Sequence, residues 1–348
     1  LIVAFRFSVL IKDKTLRWLL FLALVFCHFV IEFFSVTRGY GMSMALLIAA
    51  LYFAYSWTKS TTSVNLVLCV IAMQLATLAN LSLLLTNVLV MGWLVFWLAS
   101  SIRKNWTISA ITLSLGFACI AWFVNLSFEY KSRGLLYYGP GDSFWEVTVL
   151  SLAEYAFPST QTLFIILVPV VAILLLVSGI YLLFTTRKKG SESFQSLLFS
   201  YLFLGNLTAN FLLHFALDVN YPADRVAIQY LLFVPLALVF VIERIGDFSN
   251  SLSIRRIGIV ATMTLLIYPI NFVLSSNTTH IELWRVDSAA RQFYNEIAAS
   301  SETSGNLPTS TGYRLRSLPF NYYNLRNNGA ISPIQWSAYH GEEADFQI

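Results

Sequence analysis

Long apolar runs recur along the chain and are separated by short polar segments. A helix that spans the hydrocarbon core of a bilayer needs about 20 predominantly apolar residues. The pattern predicts nine full spans after a partial one at 1–11, namely 17–36, 41–57, 63–80, 83–101, 106–125, 160–184, 195–216, 227–245 and 257–275. The fold class that follows is an all-α polytopic membrane protein.

Composition agrees with this class, since 57% of the 348 residues are hydrophobic and only 11% are charged. Cys27, Cys69 and Cys119 all lie within apolar runs, which indicates buried thiols and not a disulfide framework or a metal set. The sequence contains no CxxC pair, no HExxH, no Walker-type loop and no dinucleotide fingerprint. Its formal charge of +4 arises largely in the loops, so nucleic acid is not an expected partner.

The first residues, LIVAFRFSVLIK, resemble the last turns of a helix that has already crossed most of a bilayer. They contain neither a charged leading region nor a small-residue cleavage site. We therefore expect the chain to be an N-terminally truncated fragment.

Basic residues predict the orientation, because loops on the cytoplasmic side carry an excess of Lys and Arg. Strict alternation of nine spans places 12 of the 22 Lys and Arg residues on one side: Lys12, Lys14, Arg17, Lys59, Arg103, Lys104, Arg187, Lys188, Lys189, Arg244, Arg255 and Arg256. The short loops opposite then hold only Arg38, Lys131, Arg133 and Arg225. The 126–159 loop, the 217–226 turn and everything after residue 276 are predicted to be extracytoplasmic.

The composition changes near residue 276, where the long apolar runs stop and Lys disappears. We predict a transmembrane domain over 1–276 and a small extracytoplasmic C-terminal domain over 277–348, which we expect to be incomplete. The segment HIELWRVDSAARQFYNEIAAS predicts an amphipathic helix with Ala289, Phe293 and Ile297 near one face.

Arg225 lies in the segment DVNYPADRVAIQY, directly ahead of an apolar run. A charge at the bilayer centre costs upward of about 2.5 kcal/mol, so such a residue is retained for pairing, for a water-filled cavity or for a ligand. One interpretation is that Arg225 reaches the lipid headgroups or pairs with Asp218 or Asp224. The other is that its planar guanidinium binds an anionic group such as a lipid phosphate.

A second polar cluster occurs in HFVIEFFSVTRGYGMSMALL. His28 and Glu32 are four residues apart and share a helix face, while Arg38 and Tyr40 lie at the following turn. The two glycines that flank Tyr40 allow a tight reversal or a close approach of backbone to a ligand. A helical hairpin held by an ion pair between Glu32 and Arg38 and a role in substrate binding both remain open.

The 126–159 loop combines aromatic residues with Asp142 and Glu146. Aromatic rings beside carboxylates are typical of a sugar-binding surface, where pyranose faces stack on rings and hydroxyls donate to carboxylates. The alternative is the aromatic belt found at membrane interfaces, which accounts for most of these rings.

These segments together resemble a known family. FFSVTRGYGMSMALLIAALYFAYS resembles the Arg-Gly-Tyr segment of bacterial integral-membrane glycosyltransferases of the GT-C superfamily, related to protein O-mannosyltransferases and aminoarabinose transferases. YPADRVAIQYLLFVPLALVF is similar to their later segment, with Arg225 ahead of a run that contains Pro235. LYYGPGDSFWEVTVLSL, LWRVDSAARQFYNEI and LPFNYYNL resemble the loop and C-terminal domain of a subgroup. The resemblance covers essentially the whole chain in order.

The resemblance implies an inverting enzyme of the bacterial inner membrane that transfers a sugar from a polyprenyl-phosphate donor to a glycan, lipid or protein acceptor on the extracytoplasmic side. Arg225, assisted by Arg38 and Tyr221, would hold the departing phosphate. The residues expected to bind substrate are Arg225, Arg38, Tyr221, Tyr40, Glu32, Asp224 and Asp142. No cofactor is expected, and a divalent cation is left open.

Members of this family carry their catalytic aspartate in the first extracytoplasmic loop, so we expect it upstream of residue 1. No catalytic residue is assigned in this chain, and neither Asp218 nor Asp224 is put in its place.

Two other functions share the same features. A polymerase or ligase of lipid-linked polysaccharides would use the same lipid phosphate and the same outer arginines. A lipid or solute transporter would also place charges along an outer cavity, but such proteins commonly show an internal repeat, which this sequence lacks. An extracytoplasmic Asp about 10 residues after a first span would favour the transferase.

Overall fold

A computed structural model gives the fold of the protein. It describes residues 1–35, 39–60, 62–99, 106–134, 143–186, 195–248, 252–277, 282, 290–304, 310–313, 317–327, 329, 331, 335–337 and 346–347. The chain divides into two compact units, Leu1–Ser276 and Asn277–Ile348.

Helices make up the first unit. They are α1 (Ile2–Val9), α2 (Lys14–Val25), α3 (His28–Ser35), α4 (Gly39–Ser60), α5 (Ser63–Ala79), α6 (Leu84–Ala99), α7 (Trp106–Ser132), α8 (Ser151–Ala156), α9 (Gln161–Thr186), α10 (Leu198–Leu217), α11 (Tyr230–Phe248), α12 (Leu252–Thr262) and α13 (Ile267–Ser275). Short 3-10 helices at Leu81–Leu83, Asp224–Ala227 and Met263–Leu266 and a π-helix at Trp145–Leu150 adjoin them.

Seven helical stretches in the described residues are long and apolar enough to cross a membrane. The pair α2 and α3, bent by 44°, forms an eighth if it is counted as one span. The helix α5 has only 17 residues and falls short of that length. The protein is thus a multi-pass helical membrane protein, and the structure does not confirm the predicted count of nine spans.

The helices run up and down between two ends of the bundle. At one end, Lys12 pairs with Asp247 at 3.2 Å and Gln195 donates to the carbonyl of Thr58 at 3.0 Å. Lys59 and Arg244 line the same pocket as Lys12, so basic positions predicted for one face do share one end of the bundle. We call it the Lys12 end.

The opposite end joins the other termini of the same helices, and we call it the Arg225 end. Here Thr160 at the start of α9 donates to Asn271 in α13 at 3.1 Å, and the start of α4 touches the carbonyl of Ala79 at the end of α5. The short helix α5 begins just after Lys59, at the Lys12 end, and it ends at Ala79, beside the start of α4. It therefore also connects the two ends of the bundle.

Burial places α11 at the centre of the bundle and α9 at its edge. In the most apolar part of the span Asp224–Asp247, which contains most of α11, 83% is buried inside the protein. The corresponding value for the span Gln161–Ile180 in α9 is 17%. A helix that is apolar on all sides but poorly covered by protein is suited to lipid contact. Each of the two helices contains a proline, Pro235 in α11 and Pro169 in α9.

Buried polar side chains connect α5, α6 and α10. Asn87 donates to Gln74 at 2.9 Å and to Thr77 at 3.0 Å, and Thr86 donates to Asn206 at 2.9 Å. In a membrane, helices do not gain hydrophobic free energy against one another, so packing and hydrogen bonds of this kind hold them together.

The described residues of the second unit form α14 (Ala290–Ser304), α15 (Ser317–Arg326) and three short parallel strands, β1 (Ser310–Tyr313), β2 (Gln335–Ser337) and β3 (Phe346–Gln347), in the order β2-β1-β3. Its core contains Tyr294, Ile297, Phe320 and Ile331. The predicted amphipathic helix is present, but Phe293 is 50% exposed and Tyr294 is buried in its place. Ala289 lies outside the described residues.

Asp13 ties α2 to α12 at the Lys12 end. Its carboxylate caps α2 by accepting from the backbone N–H groups of Thr15 at 2.9 Å and Leu16 at 3.2 Å, and it accepts from Arg255 at 2.7 Å. Burial acts to raise the pKa of Asp13, but the hydrogen bonds from Arg255 and from the two backbone groups outweigh it, so the pKa lies below its usual value.

We expect Asp13→Ala to lower the free energy of unfolding in detergent by about 1 kcal/mol more than Asp13→Asn, because Asn keeps a capping oxygen and removes only the charge. Since the folded-state pKa is lowered, the wild-type carboxylate contributes stability above the ordinary carboxyl pKa, and this contribution is lost as pH falls through the lowered value. The measurement is the unfolding temperature of the three proteins from about pH 7 to about pH 3. Equal losses in both variants would contradict the capping role.

Candidate functional site

The turn between α10 and α11 carries Arg225 and is bonded to the segment before α9. The hydroxyl of Thr148 donates to the carbonyl of Pro222 at 2.7 Å, and the hydroxyl of Ser151 accepts from the backbone N–H of Asp224 at 2.8 Å. Asp224 has a φ of +40°, which side-chain-bearing residues rarely adopt, and its carboxylate accepts from the backbone N–H of Arg225. Side-chain hydrogen bonds thus specify the shape of this turn.

Arg225 lies against Tyr40, the second residue of α4. The guanidinium carbon is 5.9 Å from the centroid of the Tyr40 ring, within the range of a cation–π contact. Both side chains are half-buried. The ring of Phe33 also packs against Tyr40, with 5.0 Å between the two ring centroids. The structure therefore brings together two of the residues predicted to bind substrate.

Tyr221 is buried in an aromatic cluster next to the same turn. Its ring stacks on His214 with a centroid distance of 4.2 Å and meets Phe144 and Phe211 edge-on, each at 5.5 Å. The His214 ring nitrogen Nδ1 is 3.0 Å from the carbonyl oxygen of Val219. The ring of Tyr221 thus anchors the turn, while its predicted contact with a phosphate stays a prediction.

Glu32 lies on α3, where it is buried beside His28. The nearest carboxylate oxygen is 3.9 Å from Nε2 of His28, and the His28 ring meets Phe272 of α13 with a centroid distance of 6.3 Å. The shared helix face expected from the spacing is therefore present. The predicted ion pair of Glu32 with Arg38 cannot be described, because Arg38 lies outside the described residues, as does Asp142.

The two glycines that flank Tyr40 provide close helix contacts. A Cβ atom on Gly39 would overlap the carbonyl oxygen of Ala79, and one on Gly41 would lie 2.7 Å from the carbonyl oxygen of Phe33. Gly41 therefore lets α4 pack closely against α3, in agreement with the tight reversal that was one of the two interpretations of the sequence, while Gly39 lets α4 pack against the end of α5. Tyr40 lies between these two close contacts.

An apolar cavity of about 270 Å³ adjoins the turn. Its walls come from α9, α10, α11 and the segments before α9 and α13, and they are almost wholly apolar. The residues Phe144 and Thr148 line the cavity and also hold the turn, through the ring contact with Tyr221 and the hydrogen bond to Pro222. An apolar ligand in this cavity would therefore lie next to the turn that carries the guanidinium.

Thr148 and Ser151 are site residues that the sequence analysis did not single out. Their only signal is a pair of hydroxyls three residues apart in an apolar segment, which places them on one helix face. Hydroxyls in such segments usually bond to a carbonyl of their own helix, and Ser151 also donates to Val147 in this way at 2.6 Å.

The part of the chain that the structure describes contains no group of three or more His, Cys, Asp or Glu residues arranged to hold a metal ion. Comparisons with protein-family models, with curated protein sequences and with solved structures find no match for the chain. The case for a function therefore rests on the residues and the geometry of the turn and the cavity.

We expect Gly39→Ala to destabilise the protein by about 1–3 kcal/mol, since the added methyl group forces α4 away from the end of α5. Gly179→Ala is the matched control, because a Cβ at this helical position meets nothing within 4 Å. The measurement is thermal unfolding of both variants in the same detergent. Equal unfolding temperatures would show that the close approach of α4 to α5 is not needed.

Proposed function

We propose that the protein is a membrane glycosyltransferase of the GT-C type, which transfers a sugar from a polyprenyl-phosphate donor to an acceptor hydroxyl with inversion at the anomeric carbon. The observation that carries this proposal is the shared wall between the apolar cavity and the Arg225 turn, formed by Phe144 and Thr148. A lipid phosphate has the matching arrangement, an apolar chain that ends in an anionic group.

The cavity suits the lipid part of such a donor. Its volume is close to the lower end of the range of about 300–1,000 Å³ that is usual for ligand sites. Its walls offer almost no polar partner, so a sugar or a soluble metabolite would lose its hydrogen bonds with water there without replacement. An isoprenoid chain has no such groups to satisfy.

Arg225 suits the anionic part of the donor. When the glycosidic bond to the phosphate breaks, negative charge develops on the departing phosphate, and a fixed positive group stabilises it. Arg225 has a planar guanidinium that can bind two phosphate oxygens at once. Its contact with Tyr40 and the bonded turn hold it in place before a ligand arrives.

The acceptor hydroxyl needs a base to take its proton, and the proposal assigns that role to no residue of this chain. The proposal also retains the expectation that the donor is bound by Arg38, Glu32, Asp142 and Asp224. The proposal includes the inner membrane as the location, the extracytoplasmic side for the Arg225 end, and an extracytoplasmic unit at 277–348.

The test of the site uses Arg225→Ala and Arg225→Lys, with Arg133→Ala as the control for loss of a positive charge at the same end. Arg133 is exposed and pairs only with Glu129 on its own helix among the contacts of the described residues. We expect Arg225→Ala to lower transfer from a panel of polyprenyl-phosphate sugars by about 100-fold, Arg225→Lys to retain part of the activity, and Arg133→Ala to retain all of it.

The variants are made in the full-length gene product, because the catalytic aspartate is expected upstream of residue 1. Release of polyprenyl phosphate is measured by mass spectrometry in membranes that contain this protein, together with the unfolding temperature of each variant. Full transfer by a folded Arg225→Ala protein removes this residue from the site. Loss of transfer that occurs only with loss of folding assigns it a structural role.

The test of orientation uses single new cysteines at two exposed positions. One is Arg133→Cys at the Arg225 end. The other is Arg256→Cys at the Lys12 end, where the neighbouring Arg255 donates to Asp13. We expect a membrane-impermeant maleimide added to intact cells to label the first and not the second. The three native cysteines are replaced by Ser or Ala as background. The reverse labelling pattern would place the Arg225 end in the cytoplasm, where an extracytoplasmic donor cannot reach it.

A further inference from the structure

A second pocket, of about 370 Å³, lies at the Lys12 end of the bundle. The turn before α2, the end of α4, the start of α10 and the end of α11 surround it. In contrast to the cavity near Arg225, its walls are mainly polar. It lies at the end of the bundle opposite the proposed transfer site, so its role is independent of the proposed function.

Cations outnumber carboxylates in the walls of this pocket. They contain Lys12, Lys59 and Arg244 against Glu243 and Asp247, which gives three positive and two negative groups. Both carboxylates are already engaged. Asp247 accepts from Lys12 at 3.2 Å and from Arg244 at 3.4 Å, and Glu243 accepts from the backbone N–H of Lys12.

Lys59 contributes the excess positive charge. Its ammonium group lies 5.0 Å from the centroid of the Tyr55 ring, and no carboxylate among the residues that the structure describes is paired with it. A cation held over an aromatic ring at the edge of a pocket keeps its charge available to an anion.

The start of α10 borders the same pocket. Gln195 and Ser196 are buried, line the pocket and lead directly into this helix of 20 residues. Because Gln195 and Ser196 directly precede the helix and line the pocket, the positive end of the helix dipole lies near the pocket, and Leu197 provides no side-chain cap for it. The hydrogen bond from Gln195 to the carbonyl of Thr58 at 3.0 Å fixes this segment to the end of α4.

We propose that this pocket binds a phosphate group. A phosphate has acceptor oxygens that point in several directions, and it can therefore bond at once to Lys59, to Arg244 and to the start of α10. The anionic headgroup of a lipid and a soluble phosphate compound share this chemistry. Both the lipid headgroup and the soluble compound can reach the pocket, because the helices leave the membrane at the Lys12 end.

The experiment measures thermal unfolding of the purified full chain in two arms. In the first, sodium phosphate is titrated against sodium chloride of equal ionic strength, so that general screening cancels. In the second, the protein is placed in phosphatidylcholine vesicles with or without phosphatidic acid. The variants are Lys59→Gln, Lys59→Arg as the charge-preserving rescue, and Arg256→Gln as the control, because Arg256 is exposed and does not line the pocket.

We expect phosphate or phosphatidic acid to raise the unfolding temperature of the wild type, of Lys59→Arg and of Arg256→Gln. For Lys59→Gln, the concentration for half of the effect should rise about three- to tenfold. A response in the first arm alone identifies a soluble ligand, and a response in the second alone identifies a lipid headgroup, and either supports the site.

The absence of a specific response in both arms would overturn the proposal. So would equal weakening by Lys59→Gln and Arg256→Gln, since this would show that the phosphate responds to the general positive charge of this end and not to the pocket. Lys59 is exposed, so its replacement by Gln is compatible with folding.

Discussion

Two hydroxyl hydrogen bonds hold the turn between α10 and α11, and the position of Arg225 depends on them. In the low-dielectric surroundings of a membrane protein, a backbone group without a partner costs several kcal/mol. The carbonyl of Pro222 precedes the 3-10 helix Asp224–Ala227, and the N–H of Asp224 is at the first position of that helix, where no partner exists within the helix. Thr148 and Ser151 supply the partners of these two groups. The guanidinium is therefore positioned by the segment before α9 as much as by its own turn.

This arrangement couples the cavity to the cation. Phe144 has the cavity on one side and the ring of Tyr221 on another, while Thr148 lines the cavity and bonds to the turn. Packing in a close-packed interior responds to changes in volume of even one methylene group. In the proposed complex, an apolar chain that fills the cavity would act on the same side chains that set the position of Arg225, so the site would respond to the apolar and anionic parts of one ligand together.

The sequence predicted the features that the bilayer imposes and missed those that depend on pairs of distant residues. Apolar runs located the helices because every backbone group in lipid must be satisfied within the helix, and the basic positions Lys12 and Lys59 do share one end. Hydropathy does not record where a helix bends, so the break between α2 and α3 was not foreseen, whereas α5 (Ser63–Ala79) matches the predicted segment 63–80 to within one residue. The contact of Arg225 with Tyr40 joins two segments far apart in the chain, and no local pattern encodes it.

The two ends of the bundle present positive charge in different surroundings, and this difference distinguishes the two ligands proposed for them. Arg225 is half-buried on a turn that shares the contact residues Phe144 and Thr148 with an apolar cavity, so an anion attached to an apolar chain can use both features at once. Lys59 is exposed in a polar pocket that offers a phosphate several donors but gives an acyl or isoprenoid chain little to bind. Salt screens exposed charges much more than buried ones. On the two proposals, the Lys12 end binds a phosphate group through polar contacts that salt can screen, whereas the Arg225 end selects a lipid by its apolar part before the charge contributes.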